Sequence, residues 1–222
     1  MPSSPAPDAA TRRRARTILD RLVRRYPEIH TALDFLDPWQ LLVSTVLSAQ
    51  TTDDNVNRVT PVLFARWPTA VALAEADPGA VEKVVFSTGF YRQKTASIIA
   101  LSRDLVDEFD GVVPADLDSL ITLRGVGRKT ASVVLAEAFG VPAIAVDTHV
   151  KRVTRRLGLT RHDDPEEIEA DLRRLFPTAR WGAVSMRFIQ FGREVCDARR
   201  PRCWECGLAD RCRYPDKTPP PG

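Results

Sequence analysis

Long apolar runs are missing from this sequence of 222 residues. No stretch approaches the roughly 18 apolar residues that a membrane-spanning helix needs, so we expect no membrane partner. The first ten residues are small and rich in proline, which predicts a flexible segment, and arginines rather than an apolar core follow them. A secretory signal is therefore not expected, and the sequence favours a protein of the cytoplasm.

Strand-like segments are also scarce, because only residues 143–146 have the composition of a short strand. Helical periodicity dominates elsewhere, for example in residues 11–26, where apolar side chains recur every three or four positions. Aspartate and threonine residues stand where helices are expected to begin. These candidate caps are Asp37, Thr52, Thr69, Asp77, Asp116, Asp147 and Asp164. The fold class predicted from this pattern is all-α.

Cysteine is absent until residue 196, and all four cysteines then lie within one window. They are Cys196, Cys203, Cys206 and Cys212, in the spacing Cys-x6-Cys-x2-Cys-x5-Cys. A reducing compartment disfavours disulfides, so the clustering indicates a metal centre. Zinc ribbons usually carry two Cys-x2-Cys pairs, and this window carries one. The spacing therefore favours a four-thiolate iron–sulfur cubane, with zinc as the alternative.

Excess charge is small overall, since the net charge is only +3. Its distribution is more informative: residues 124–156 hold seven basic and two acidic side chains, and residues 12–25 hold seven arginines and one acid. The loop between the first two cysteines adds Arg199, Arg200 and Arg202, and metal ligands at both ends would make it rigid. Such local excess can neutralise DNA phosphates, although solvated helix faces have the same composition.

A glycine pair joins a short predicted helix to a longer one at Gly125-Val126-Gly127. Two glycines permit a tight turn and a close approach of backbone amides to a ligand. The turn leads into a helix N-terminus, where unpaired amides and the helix dipole favour an anion. A DNA phosphate suits this position, and an ordinary corner between two helices is the alternative.

Lys129 lies in the first turn of the helix that follows this hairpin. A cation is unfavourable there because of the helix dipole, and neighbouring Arg128 adds repulsion. Both effects should lower the pKa of Lys129, and a neutral amine can form a Schiff base. An exposed lysine that contacts a phosphate is the alternative.

Asp147 follows 18 residues after Lys129, at a predicted helix start. A capping carboxylate accepts backbone hydrogen bonds and stays ionised. It can then stabilise a developing sugar cation or orient a nucleophile, and plain capping is compatible with either role. His149 has no partner at metal-ligand spacing, so we interpret it as a structural or phosphate-contacting residue.

Together these motifs resemble the endonuclease III family of helix-hairpin-helix DNA glycosylases. The resemblance spans residues 17–214, and it is carried by residues 47–53, 125–131 and 146–149 together with the cysteine window. It implies two helical domains that flank a DNA-binding cleft. Residues 31–141 would form a six-helix barrel domain with the helix-hairpin-helix motif. Residues 1–30 plus 142–222 would form a domain that ends in a [4Fe-4S] cluster loop.

The resemblance also implies an enzyme of base excision repair, a bifunctional DNA N-glycosylase and AP lyase. Its partner would be double-stranded DNA with damaged bases or abasic sites, and it would act as a nucleoid-associated monomer. Oxidised pyrimidines such as thymine glycol are the expected substrates. Lys129 would attack the sugar C1′ with support from Asp147, and β-elimination would then cleave the strand 3′ to the lesion.

The resemblance assigns two residues to the interior of the duplex. Gln50 would fill the gap left by the flipped base, and Phe90 would enter the stack as a wedge. Phe90 departs from the usual leucine. Arg124 departs from the usual proline before the hairpin and would add charge beside the phosphate site. Both departures affect the expected lesion range. The remaining predicted DNA contacts are Arg124, Gly125, Val126, Gly127, Arg128, His149, Arg199, Arg200 and Arg202.

Two other functions are compatible with part of the pattern. A monofunctional glycosylase of the same superfamily would release the base without cleaving the strand, but that branch generally lacks the lysine. A non-catalytic iron–sulfur DNA-binding protein would explain the cysteines, the hairpin and the basic patches. It would not explain a lysine held at a helix N-terminus.

Overall fold

A computed structural model of the chain describes residues 7–221, and in that range it is helical without strands. The helices are α1 (Ala9–Arg25), α2 (Pro38–Leu47), α3 (Asp53–Arg66), α4 (Ala70–Ala74), α5 (Pro78–Val85), α6 (Tyr91–Phe109), α7 (Leu117–Leu120), α8 (Arg128–Ala138), α9 (Thr148–Arg156), α10 (Pro165–Leu175) and α11 (Trp181–Glu194). Three short 3-10 helices lie at Phe86–Thr88, Thr178–Arg180 and Cys203–Glu205. The all-α prediction is confirmed. Over the same range, no helix has the length and apolar character needed to cross a membrane.

Side-chain caps define the helix starts as the sequence predicts. All seven candidate caps accept a hydrogen bond from a backbone N–H two or three residues ahead. Asp37, for example, accepts from the amide of Gln40 at 2.8 Å. An eighth cap, Asp8, starts α1 at Ala9, so the expected flexible N-terminal segment is already helical there. Residues 1–6 of that segment lie outside the described residues.

Residues 143–146 do not form a strand. Their side chains are buried, which explains their apolar composition. A strand needs a partner for its backbone groups, and the described part of the chain offers none. The segment is therefore a buried, irregular connection that leads to Asp147.

The chain divides into two compact units. The hairpin unit comprises residues 31–141 and contains α2 to α8. Its core is made of fully buried leucine and isoleucine side chains, among them Leu42, Leu63, Ile98 and Leu105. Helix α2 packs against α8, and α4 packs against α6. The core thereby fixes α8, which carries Lys129.

The cysteine unit comprises the residues up to His30 and those from Pro142 onward, with α1 and α9 to α11. Its core includes Ile18, Val150, Ile168 and Phe188, and Cys196, Cys206 and Cys212 pack at its edge. Helix α9 packs against α11. The position of α9 matters because Asp147 caps this helix.

Candidate functional site

The hairpin between α7 and α8 depends on its glycines. Gly125 has φ of 82°, and a Cβ at this position would lie 2.9 Å from the Cβ of Ser97. Val126 is buried, and its amide donates to the carbonyl of Leu123 at 3.0 Å. Gly127 is the N-cap of α8 and supplies no side-chain hydrogen bond. The turn is therefore held rigidly, and the first amides of α8 are not capped by a side chain of that position.

Lys129 is the second residue of α8 and is exposed, whereas the preceding Arg128 is half-buried. Lys129 therefore lies at the surface, on a helix that the core of the hairpin unit holds in place. Burial, one of the effects that can activate a lysine, is therefore not available at this position. The two remaining effects that can activate Lys129 are the helix dipole and the positive charge of Arg128.

Arg124 is bound to α6 by an ion pair. Its guanidinium donates to Asp104 from Nε at 2.8 Å and from Nη2 at 2.5 Å, and its backbone N–H donates to the same carboxylate at 2.8 Å. These hydrogen bonds hold the pKa of Asp104 below its usual range. Asp104 thus offsets the charge that Arg124 was expected to add beside the hairpin. A DNA contact by Arg124 stays a prediction.

Gln50 and Phe90 share an unusual backbone conformation. Their φ angles are 55° and 48°, and the only other positive φ of a non-glycine residue in the range 7–221 is that of Asp110. Such conformations are uncommon outside glycine and tend to occur at functional sites. Both side chains are exposed, and that of Phe90 has 61% of its surface accessible. Both residues lie in loops, one after α2 and the other before α6.

Asp147 is oriented by three hydrogen bonds at the start of α9. Its Oδ1 accepts from the backbone amides of His149 and Val150, both at 2.8 Å. Its Oδ2 lies 2.9 Å from Nδ1 of His149. Their side chains are only 20% and 28% exposed. His149 therefore has the structural role that the sequence suggested, and its possible phosphate contact stays a prediction.

Gly192 of α11 lies against this pair. A Cβ at Gly192 would be 3.0 Å from the Cβ of His149 and 3.2 Å from the guanidinium of Arg152. These distances are shorter than most contacts of a real Cβ, so a larger residue at Gly192 would require α9 or α11 to shift slightly. The packing of the two helices thereby restricts the position of His149.

The four cysteines line one small cavity together with apolar side chains that include Phe191 and Val195. Burial raises the pKa of Cys206 and of Cys212, and the neighbouring thiols raise both further. Cationic iron removes this penalty because it binds the thiolate form. No three His, Cys, Asp or Glu side chains in residues 7–221 are arranged for a single metal ion. Four thiols around one cavity do fit a [4Fe-4S] cubane, which is wider than a single ion and takes four cysteine ligands.

Arg156 binds the cysteine window from α9. Its guanidinium donates to the carbonyls of Asp197 at 2.6 Å and Ala198 at 2.9 Å, and it lies 3.5 Å from the sulfur of Cys196. Its own carbonyl accepts from the thiol of Cys212 at 3.3 Å. One residue of α9 therefore contacts both ends of the window.

Arg152, one turn earlier on α9, donates to the carbonyls of Cys196 and Gly192, both at 3.0 Å. Sequence reasoning missed Arg152 and Arg156, because it treated the basic residues of α9 as one patch. Their spacing of four residues places both on one helix face and was an available signal.

The basic loop of residues 197–202 is fixed internally. The Asp197 carboxylate accepts from the amides of Arg199 and Arg200, both at 2.8 Å, and both arginines are exposed. Arg202 binds the carbonyl of Glu194 and pairs with Glu205 at 2.9 Å. The three arginines stay predicted DNA contacts, and the guanidinium of Arg202 is already engaged within the chain.

Comparison with known proteins agrees with this geometry. Residues 43–178 match the family of HhH-GPD superfamily base excision DNA repair proteins, and residues 196–212 match the iron-sulfur binding domain of endonuclease III. The chain is 51% identical to the Endonuclease III of Synechocystis sp. over 92% of this chain and 94% of that protein. It is 40% identical to the Endonuclease III of Escherichia coli K12, over 90% and 95% of the two chains.

Solved structures give the same result. A non-covalent Endonuclease III–DNA complex superposes with a TM-score of 0.87 at 43% identity, over 91% of this chain and 95% of that one. A trapped Endonuclease III–DNA covalent intermediate has the same values. The expected family and iron–sulfur cofactor are confirmed. The chain belongs to the endonuclease III family, within the HhH-GPD superfamily of base excision DNA repair proteins.

Proposed function

We propose that this DNA glycosylase and AP lyase uses Lys129 as its nucleophile and removes oxidised pyrimidines, such as thymine glycol, from double-stranded DNA. The observation that carries the proposal is an exposed lysine in the first turn of α8, directly after the hairpin. A trapped covalent intermediate with DNA is known for a relative that is 43% identical, which supports an imine mechanism.

In the proposed reaction, Nζ of Lys129 attacks C1′ of the damaged nucleotide. The new C–N bond forms as the glycosidic bond breaks, and the base leaves with a proton. Opening of the sugar ring gives a protonated imine, which acidifies the proton on C2′. Loss of that proton expels the 3′ phosphate and nicks the strand. Hydrolysis of the imine then restores the lysine.

Asp147 is proposed to stabilise positive charge that develops on the sugar. Two backbone amides and His149 hold its carboxylate in place. The carboxylate is therefore held in one position, and its charge needs no reorganisation as the sugar cation develops.

DNA recognition is proposed to combine backbone and duplex contacts. Amides of the hairpin, Arg128 and His149 are suited to phosphates, as are Arg199, Arg200 and Arg202 of the cysteine loop; such contacts position the enzyme without reading sequence. Gln50 and Phe90 are proposed to enter the base stack when the damaged nucleotide is flipped. In this proposal, residues of the hairpin unit and of the cysteine unit both contact the DNA, and the enzyme works at the nucleoid.

The two halves of the reaction can be measured separately. A duplex with one thymine glycol is incubated with excess enzyme, and base release and strand cleavage are followed for wild type and Lys129→Ala. Wild type should do both, and the variant should lose at least about a thousandfold of each rate, as nucleophile deletions do. Base release by wild type with an intact strand would instead support a monofunctional glycosylase. If the enzyme cleaves an abasic duplex but does not act on thymine glycol, the proposed lesion class is wrong and the AP lyase activity stands.

A further inference from the structure

Asn55 connects the two loops that carry Gln50 and Phe90. It is the third residue of α3, and its Nδ2 donates to Oγ1 of Thr51 at 3.0 Å and to the carbonyl of Ser87 at 2.8 Å. Its Oδ1 accepts from Oγ of Ser87 at 3.4 Å. One amide side chain therefore binds the residue next to Gln50 and a residue three positions before Phe90.

The loop before α6 is also fixed from its other side. Lys94 is 5% exposed, and its Nζ donates to the carbonyl of Thr88 at 2.6 Å. The amide of Gly89 donates to the carbonyl of Phe86 at 3.4 Å. These hydrogen bonds hold the short loop in a fixed position relative to α6. The hydrogen bond from Asn55 to Ser87 therefore fixes the distance between this loop and α3.

The loop after α2 is short as well. Its backbone turns through Gln50 in the left-handed region, and the amide of Thr51 donates to the carbonyl of Ser48 at 3.3 Å. The side chain of Thr51 contributes the acceptor for Asn55. The position of Gln50 is thus coupled to α3 through its immediate neighbour.

We propose that Asn55 is a positioning residue that sets the separation of Gln50 and Phe90, so that both side chains enter the duplex in one step. The inference rests on the duplex-invading roles given to these residues in the proposed function. Opening the stack costs free energy, which the two insertions must offset together. Side chains that are ordered before binding lose less entropy on insertion than side chains on independent loops.

The proposal separates two kinds of substrate. Base release from duplex DNA requires the stack to be opened, so it depends on the paired insertion. β-Elimination at an abasic site in single-stranded DNA requires no opening, so it does not. Loss of Asn55 should therefore slow the first reaction and leave the second unchanged.

Asn57 offers a matched control on the same helix. Its Nδ2 donates to the carbonyl of Ala32 at 2.8 Å, and its Oδ1 accepts from the amide of Asp34 at 3.0 Å. Asn57→Ala removes the same chemical group as Asn55→Ala and releases a different segment. Thr51→Val is a second variant, because it removes only the acceptor next to Gln50 and keeps the shape of the side chain.

The experiment measures single-turnover base release from a thymine glycol duplex and β-elimination on a single-stranded abasic oligonucleotide. A 2-aminopurine beside the lesion reports opening of the stack by stopped-flow fluorescence. Asn55→Ala should slow both base release and the rise in fluorescence by about tenfold. Thr51→Val should slow them by about fivefold, which corresponds to the loss of roughly one hydrogen bond. Both variants should keep single-stranded elimination within about twofold of wild type, and Asn57→Ala should match wild type throughout.

Three results distinguish the possible failures. If Asn55→Ala and Thr51→Val release the base at the wild-type rate while Gln50→Ala and Phe90→Ala are slow, the positioning role is wrong and the duplex-invading roles stand. Equal losses on duplex and single-stranded substrates would also overturn the inference, because they indicate general damage to the fold. If Gln50→Ala and Phe90→Ala themselves match wild type, the proposed roles fail and the inference fails with them.

Discussion

Asp147 and His149 show how one residue acts through another. The imidazole of His149 lies 2.9 Å from the Asp147 carboxylate, and α11 restricts its movement at Gly192. His149 is therefore placed to hold Oδ2 of Asp147 while the amides of α9 hold Oδ1.

We expect His149→Ala to lower the rate of base release at saturating DNA by about fivefold, since roughly one hydrogen bond to Asp147 is lost, and to raise KM through loss of the proposed phosphate contact. Single-turnover and steady-state assays on a thymine glycol duplex would measure both quantities. His162→Ala is the control, because that imidazole pairs with Glu167 at 3.0 Å elsewhere in the cysteine unit. An unchanged rate for His149→Ala would show that the backbone amides suffice.

The ion pair between Arg124 and Asp104 predicts how DNA affinity should depend on salt concentration. The guanidinium, although 59% exposed, is bound to a carboxylate and adds little net charge beside the hairpin. Asp104→Ala should therefore leave an unbalanced cation, tighten DNA binding and steepen the slope of log K against log salt by up to about 1. Arg124→Ala should leave the Asp104 carboxylate unbalanced and weaken DNA binding, with a slope that changes only if Arg124 itself contacts a phosphate. Affinity measured at four KCl concentrations decides this, and a shallower slope in Arg124→Ala would mean that Arg124 already contacts a phosphate.

Sequence reasoning identified candidate residues where chemistry is local. Lys129, Asp147 and the four cysteines stand out through their neighbours along the chain. Asn55, Asp104 and Arg156 did not, because their partners lie far away in sequence, such as Ser87 for Asn55 and Asp197 for Arg156. A single sequence contains no signal for the partners of such hydrogen bonds, although the four-residue spacing of Arg152 and Arg156 places both on one face of α9.

At the scale of elements, features that depend on neighbouring residues were predicted correctly, and features that depend on distant residues were not. All seven predicted caps are present because capping involves residues two or three apart. Residues 143–146 have the composition of a short strand but do not form one, because a strand depends on a partner elsewhere in the chain. Asp8 was missed because the proline-rich start suggested a flexible segment.

The hairpin provides a matched pair of glycines. Gly125→Ala should destabilise the protein by about 2–3 kcal/mol, because its φ of 82° strains any other residue and Ser97 leaves no room for a Cβ. Gly127→Ala should cost less than about 1 kcal/mol, because nothing lies within 4 Å of its Cβ position and its φ is −90°. Urea unfolding measures both. Similar costs for the two variants would contradict the assigned hairpin conformation.

At the scale of the whole molecule, the guanidinium of Arg156 binds the cysteine window to α9, and α9 begins at Asp147. The four cysteines would hold the cluster through four iron–thiolate bonds that close the window, and Arg156 connects this window to the helix. A structural role for the cluster follows, because Arg199 and Arg200 stand on a loop that Cys196 and Cys203 close at its ends.

Removal of iron tests this connection. Arg156→Ala should lose its cluster several times faster than wild type in the presence of an iron chelator, because the loop carbonyls of Asp197 and Ala198 are released. The loss of absorbance near the cluster band gives the rate. Arg155→Ala is the control, since the neighbouring arginine pairs with the exposed Asp163 instead. Equal rates of cluster loss for the two variants would show that Arg156 does not stabilise the cluster.

The most direct test of the central claim concerns the covalent bond at Lys129. Purified protein with its cluster intact is treated with borohydride in the presence of a duplex that carries one thymine glycol, and the trapped complex is digested and mapped by mass spectrometry. The account predicts a reduced adduct on Lys129 and no trapping with Lys129→Ala. An adduct on another amine, or full trapping of the variant, would contradict it.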